Sequence, residues 1–149
     1  MEKGEPAKPP CRPTLIRKVL SFADSDPDRC RIVDAPPGTS CPVIETVKRA
    51  DFVILVTEPT PFGLHDLQLA VGAVKILDIP CGLVINRSDL ADEKVKAYAD
   101  RENLPVLMEI PFDRRLAEAY SRGQMLVEVM PQWKEKFLEL HEKIKALVN

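Results

Sequence analysis

Beyond residue 30 the chain alternates short apolar runs with longer amphipathic stretches, the pattern of strands joined by helices in an α/β sheet. Four runs read as strands: 31–35 (RIVDA), 52–57 (FVILVT), 82–86 (GLVIN) and 106–110 (VLMEI). Their middles are apolar on both parities, as expected when helices cover both faces of a parallel sheet. Helices are predicted over 42–49, 64–77, 91–102 and 114–122, with Gly123 placed to end the last of these as a C′ glycine. Upstream, Thr14 has the chemistry of an N-cap and precedes Leu15, Ile16, Val19, Leu20 and Phe22, one apolar helical face that 24–29 brings to an end. Pro131 suits the first turn of a final amphipathic helix, 131–148, with Trp133, Phe137, Leu140, Ile144 and Leu147 on one face. That face is expected to pack on the sheet or on a partner. The pattern as a whole predicts an α/β fold with a mostly parallel sheet of four or more strands.

With 149 residues, 45% of them hydrophobic, the chain is long enough for one core and too short for two ordinary domains, so a single domain over 14–149 is expected. Residues 1–13 hold Pro6, Pro9, Pro10 and Pro13 among charges and read as a flexible Pro-rich tail or linker. Lys and Arg (21) nearly balance Asp and Glu (23) without a basic block, which argues against a nucleic-acid partner. The N-terminus lacks the apolar region of a signal peptide and no segment approaches eighteen apolar residues, so a soluble cytoplasmic protein without a membrane partner is expected.

Cys11, Cys30, Cys41 and Cys81 are widely spaced with no C-x-x-C, so no iron–sulfur cluster or zinc knuckle is predicted and free thiols are expected. Cys41 opens a predicted helix, where a thiolate ligand or redox handle and a small buried thiol both remain open readings. Cys30 and Cys81 each open a predicted strand and read as core. His65 and His141 have no His or Cys at ligand spacing and read as surface residues without a metal role.

In open α/β sheets ligands gather beyond the carboxyl ends of the strands. At the first such end stands Asp34-Ala35-Pro36-Pro37-Gly38-Thr39-Ser40. A carboxylate there can hold a Mg²⁺ shell or a water, and a glycine amide can approach a phosphate oxygen with no Cβ in the way; an Asx-type turn is the other reading. At the second end, Asn86-Arg87-Ser88-Asp89, an Asn amide can donate to and accept from a nucleobase edge, while turn chemistry with Asp89 capping the next helix explains the residues equally. At the third, Ile110-Pro111-Phe112-Asp113 can line a base pocket or simply start a capped helix.

The ordered segments DAPPGTSCPVIETVKRADFVILVTEPTPFGLHDLQLAV, VINRSDL and IPFD resemble the MinD/Mrp branch of P-loop ATPases over roughly residues 14–125, closest to members carrying an inserted ferredoxin domain. The resemblance implies a Rossmann-like three-layer α/β/α sandwich, a partial P-loop NTPase fold. It also implies that Asp34 is the catalytic Walker-B/switch II aspartate near Mg²⁺ and the attacking water, and that Gly38 is the switch glycine facing the γ-phosphate. By the same resemblance Asn86 contacts adenine, Pro111 and Asp113 belong to the loop that closes over the base, and Asp89 is a weaker member of the same pocket.

The departure from the family is equally clear, because none of the 149 residues form a G-x-x-x-x-G-K-[ST] or its lysine-bearing variant, and the ferredoxin cysteines are missing. Without those backbone amides and that lysine the phosphates have no cradle, so the chain is not expected to hydrolyse ATP alone. The sequence begins about where the family's insert would end, as in a fragment or a split gene product. In the family the P-loop strand lies between the switch II strand and the next one. Here either 31–35 pairs directly with 52–57 or another chain fills the slot.

Two functions follow as expectations. In the first, the chain is the C-terminal portion of a MinD/Mrp-like ATPase linked to iron–sulfur or metal-centre assembly, using ATP and Mg only when a P-loop comes from another segment or partner chain. In the second, it is a non-catalytic module that keeps the fold, forms a homodimer and binds no nucleotide.

Overall fold

The computed structural model describes residues 14–21, 29–90 and 92–148. The predicted tail over 1–13, with Cys11, and the turn over 24–28 lie outside the described residues. The chain divides into two compact units, Met1–Arg49 and Ala50–Asn149.

The first unit holds helices α1 (Thr14–Ser21) and α2 (Cys41–Val47). Pro42 stands in the first turn of α2, where its missing N–H costs nothing. Glu45 fastens the two helices. Its Oε1 accepts from Arg17 Nε at 2.6 Å, and its Oε2 accepts from Arg17 Nη2 at 3.2 Å and from Lys48 Nζ at 2.7 Å. With those cations hydrogen-bonded to it, the carboxyl of this buried residue is held down to about 2.

The predicted strand over 31–35 does not form: residues 30–36 are irregular, Ile32 is 91% exposed and Val33 44%. An apolar run becomes a strand only when a neighbour's ladder fixes its backbone, and apolar content by itself does not supply one. Among the described residues the sheet therefore has three strands rather than four or more. Cys30 is exposed and not core.

The second unit carries the sheet. Its elements run β1 (Val53–Thr57), α3 (Pro61–Ile76), β2 (Cys81–Asn86), α4 (Lys94–Arg101), β3 (Val106–Ile110), α5 (Arg114–Ser121), α6 (Leu126–Val129) and α7 (Gln132–Val148). The strands are parallel, in the order β1-β2-β3, with helices on both sides, consistent with a Rossmann-like fold. Three of the helices end on a residue with positive φ: Asp78 (φ 55) after α3, Asn103 (φ 53) after α4 and Gly123 (φ 69) after α5. These are the residue types that tolerate the left-handed region and close a helix there.

The core is built on β2, whose Leu83 and Ile85 are fully buried against Leu67 and Val71 of α3 and Val95, Tyr98 and Ala99 of α4. Gly82 is required by contact: a Cβ there would stand 2.6 Å from Leu107 Cδ1. The β1–β2 register is regular from Val53↔Cys81 to Thr57↔Ile85, but β2–β3 steps from Leu83↔Val106 to Val84↔Met108. At this irregularity Lys143 Nζ, reaching down from α7, donates to Leu107 O at 2.9 Å. The last helix thus packs on the sheet, with Trp133 buried and Leu140 and Ile144 half-buried, while Phe137 and Leu147 are exposed.

The expectation that every strand is covered on both faces fails at β1. Val53 and Thr57 are buried, but the intervening Ile54 and Val56 are 40% and 66% exposed. β1 is an edge strand of the three, so it has a paired neighbour on one side only. No helix among the described residues is long and apolar enough to cross a membrane.

Candidate functional site

Three parallel strands deliver three loops to one edge, at their carboxyl ends: Glu58 to Thr60 after β1, Arg87 to Leu90 after β2, and Pro111 to Asp113 after β3. Asn86, the last residue of β2, faces Glu58, with Asn86 Nδ2 at 3.5 Å from Glu58 Oε1. Arg87 follows in the left-handed region (φ 51), and its Nη1 lies 3.8 Å from Glu58 Oε2. The same guanidinium stands over the Phe112 ring, 5.5 Å from its centroid. Between the ends of β1 and β2 and the start of α3 is an open groove of about 380 Å³, lined by Thr57, Glu58, Thr60, Gly63, Asp66 and Asn86.

The β1–α3 turn is built tightly enough to fix Glu58. Thr60 is the N-cap of α3, its hydroxyl accepting from Gly63 N at 3.0 Å, and Thr57 Oγ1 donates to Gly63 O at 2.9 Å. A Cβ on Gly63 would collide with the Glu58 carbonyl oxygen and lie 2.9 Å from Thr57 Oγ1. Only glycine lets the helix start this close to the strand end.

The other two loops are tied to each other. Asp89 Oδ1 accepts from Phe112 N at 2.6 Å, and Ser88 N donates to Ile110 O at 3.0 Å. Asp89 is therefore not the cap of α4, which begins later than predicted, at Lys94, with Asp92 Oδ1 accepting from Lys94 N at 3.0 Å. Asp113 is the N-cap of α5: its Oδ1 accepts from Arg115 N at 2.9 Å and its Oδ2 pairs with Arg115 Nη2 at 2.7 Å. The Arg115 side-chain bonds, with the backbone one behind them, lower the Asp113 carboxyl below the usual range. Pro111 and Phe112 are exposed.

Asn86, Asp89, Pro111 and Asp113 thus share one sheet edge. Asp34 and Gly38 belong to the other unit, both exposed in an irregular segment. Gly38 has φ +89 with nothing within 4 Å of a Cβ position, so the backbone conformation and not crowding selects glycine. Among the described residues no group of three or more His, Cys, Asp or Glu is arranged to hold a metal ion. The residues not singled out in the sequence are Glu58, Thr60, Arg87 and Phe112. Glu58 and Arg87 sit immediately beyond their strands, and the rule applied to Asn86 reaches them as well.

The chain is similar to iron–sulfur cluster carrier proteins. It is 31% identical over 130 residues to the iron–sulfur cluster carrier protein of Pyrococcus horikoshii, covering 76% of this chain and 44% of that protein. It is 28% identical over 140 residues to a cytosolic Fe-S cluster assembly factor Nubp2 homolog of Anopheles gambiae, covering 82% of this chain and 54% of that protein. An uncharacterized protein of Methanocaldococcus jannaschii is 34% identical over 135 residues, 91% of this chain and 44% of that protein. The chain spans about half the length of these relatives. No protein-family model matches it.

Proposed function

We propose that the chain carries the base-recognising part of a MinD/Mrp-type adenine-nucleotide site and serves iron–sulfur cluster assembly in the cytoplasm, completed by a P-loop from another segment or chain. The observation that carries this reading is the convergence of Asn86, Glu58 and Arg87 with the Pro111–Phe112–Asp113 loop at the carboxyl edge of a parallel sheet. In this reading Asn86 bonds the adenine edge, Pro111 and the Phe112 ring close over its face, and Asp89 and Asp113 shape the loops that do so. The similarity to cluster carriers and assembly factors supports the process; the cluster is the cargo of such a protein, and among the described residues no group of three or more His, Cys, Asp or Glu is arranged to hold a metal ion.

Asp34 and Gly38 are assigned, within the first unit, to the phosphate side. Mg²⁺ is commonly held by one or two carboxylates, several waters and phosphate oxygens, so a single exposed Asp34 fits as one ligand, directly or through water. Mg-ATP, when bound, supplies the phosphoryl group whose loss switches such proteins between states. Asp34 orients water, and Gly38, with its positive φ, offers an amide. Neither replaces the lysine and amides of a P-loop.

Calorimetric titration with Mg-ADP and Mg-ATP, with Asn86→Ala alongside, tests the reading. Binding tighter than about 100 μM, roughly −5.5 kcal/mol, that is lost on Asn86→Ala supports base recognition. Absence of heat up to millimolar nucleotide removes it. A second reading, an interaction module that forms a homodimer without nucleotide, is favoured by the exposed Ile54 and Val56 of edge strand β1. Sedimentation of the nucleotide-free chain separates the two: a stable dimer that ignores nucleotide supports the module.

A further inference from the structure

An asparagine amide has a donating end and an accepting end, and the two look alike to a groove until something fixes which way round they stand. Here the fixing group is a carboxylate. Ionised Glu58 can only accept, and its Oε1 faces Asn86 Nδ2 at 3.5 Å. Turning the amide over would set Asn86 Oδ1 against Glu58 Oε1, two acceptors with no proton between them. Glu58 Oε2 also lies 3.8 Å from Arg87 Nη1 in a half-exposed pair, and its carbonyl oxygen accepts from Thr57 Oγ1 at 3.5 Å and stands where a Cβ on Gly63 would collide with it. Among the described residues no protein donor is bonded to Asn86 Oδ1, and no buried side-chain polar atom is without a partner, so this oxygen is open to a ligand.

We propose that Glu58 is a positioning residue that holds Asn86 with its oxygen outward, so that the edge selects a base bearing an exocyclic amine over one bearing a carbonyl at the same position. This rests on the base-recognition reading above. Adenine presents an amine donor at C6 beside an acceptor at N1, and hypoxanthine presents a carbonyl acceptor at C6 beside an N1–H donor, so the pair inverts the polarity that Asn86 Oδ1 meets at C6. A hydrogen-bonding site rejects a ligand that leaves its polar group unpaired far more strongly than it rejects a small change of shape. Glutamine at 58 can present either an oxygen or an NH₂ to Asn86, so Glu58→Gln keeps the volume and releases the lock.

The test compares ADP with IDP on the whole chain, followed by NMR shift titration to millimolar concentrations, in the wild type and in Glu58→Gln. NOEs from the Asn86 side-chain NH₂ protons to the Glu58 γ-methylene are recorded without nucleotide. The expected result is an ADP preference of about tenfold or more that falls to within about threefold in Glu58→Gln, with the NOEs present in the wild type. Equal binding of ADP and IDP by the wild type, an unchanged ratio in Glu58→Gln, or NH₂ protons directed away from Glu58 each overturn the proposal while leaving base recognition standing. If neither nucleotide binds, base recognition fails and the selectivity fails with it.

Discussion

Asp89 Oδ1 accepts a hydrogen bond from Phe112 N at 2.6 Å, joining the loop after β2 to the loop after β3 across 23 residues of sequence. The family resemblance makes Asp89 a minor pocket residue, but its visible work is to set where the Phe112 ring stands. Asp89→Ala should cost about 0.5–1.5 kcal/mol, the net range for an intramolecular hydrogen bond, and speed exchange of the Phe112 amide. Asp89→Asn, which keeps an acceptor oxygen, should retain most of both. Urea denaturation with amide exchange reads the two effects together.

Lys143 holds the Leu107 carbonyl at 2.9 Å where the β2–β3 register steps. Lys143→Met preserves the apolar stem and removes the donor. We expect a loss of about 1 kcal/mol in urea denaturation, with faster exchange concentrated around β3 and the second half of α7.

Gly82 and Leu107 are packed so closely that an added methyl has no room, because Leu107 is itself buried and hemmed in. Gly82→Ala should destabilise by about 1–3 kcal/mol through overpacking. Combining it with Leu107→Val should cost less than the sum of the two single changes, a coupling that a double-mutant cycle measures directly.

Glu45 gives the first unit an acid limit. Its carboxyl is lowered from 4.5 to about 2 by hydrogen bonds from Arg17 and Lys48, so the folded pKa lies below the unfolded one. A depressed carboxylate stabilises fully above its unfolded pKa and loses that contribution as pH falls toward the folded value. The α1–α2 contact should therefore weaken between pH 4.5 and about 2. Following Glu45 and Arg17 by NMR shows the transition, and Glu45→Gln should remove its pH dependence over that range.

Much of the second unit was legible because period and punctuation agree there. β1, β2 and β3 fall within a residue of the runs ending at Thr57, Asn86 and Ile110, and Gly123 terminates α5 as its conformation requires. Residues 31–35 show the limit of that method: RIVDA has strand composition, but composition does not say whether a ladder is available. The site was legible by position and only partly by role. Asn86 and Asp113 were found at strand ends, and the capped helix start read over 110–113 is the one Asp113 makes at α5, but that Asp89 holds Phe112 instead of capping α4 depends on which of several nearby amides its carboxylate meets. Glu58 went unread since its importance lies in facing Asn86, a pairing set by the β1–β2 register and separated by 28 residues.

The outer side of β1 has a further consequence, for handling rather than for chemistry. Val53–Thr57 contains no charge, proline or glycine, and its Ile54 and Val56 side chains are in water. Natural edge strands are usually guarded by such residues against pairing with another chain. Such a strand is a template on which a second chain can pair from the folded state, without unfolding first, so Val53–Thr57 is the place to add a charge when the chain must be kept dispersed.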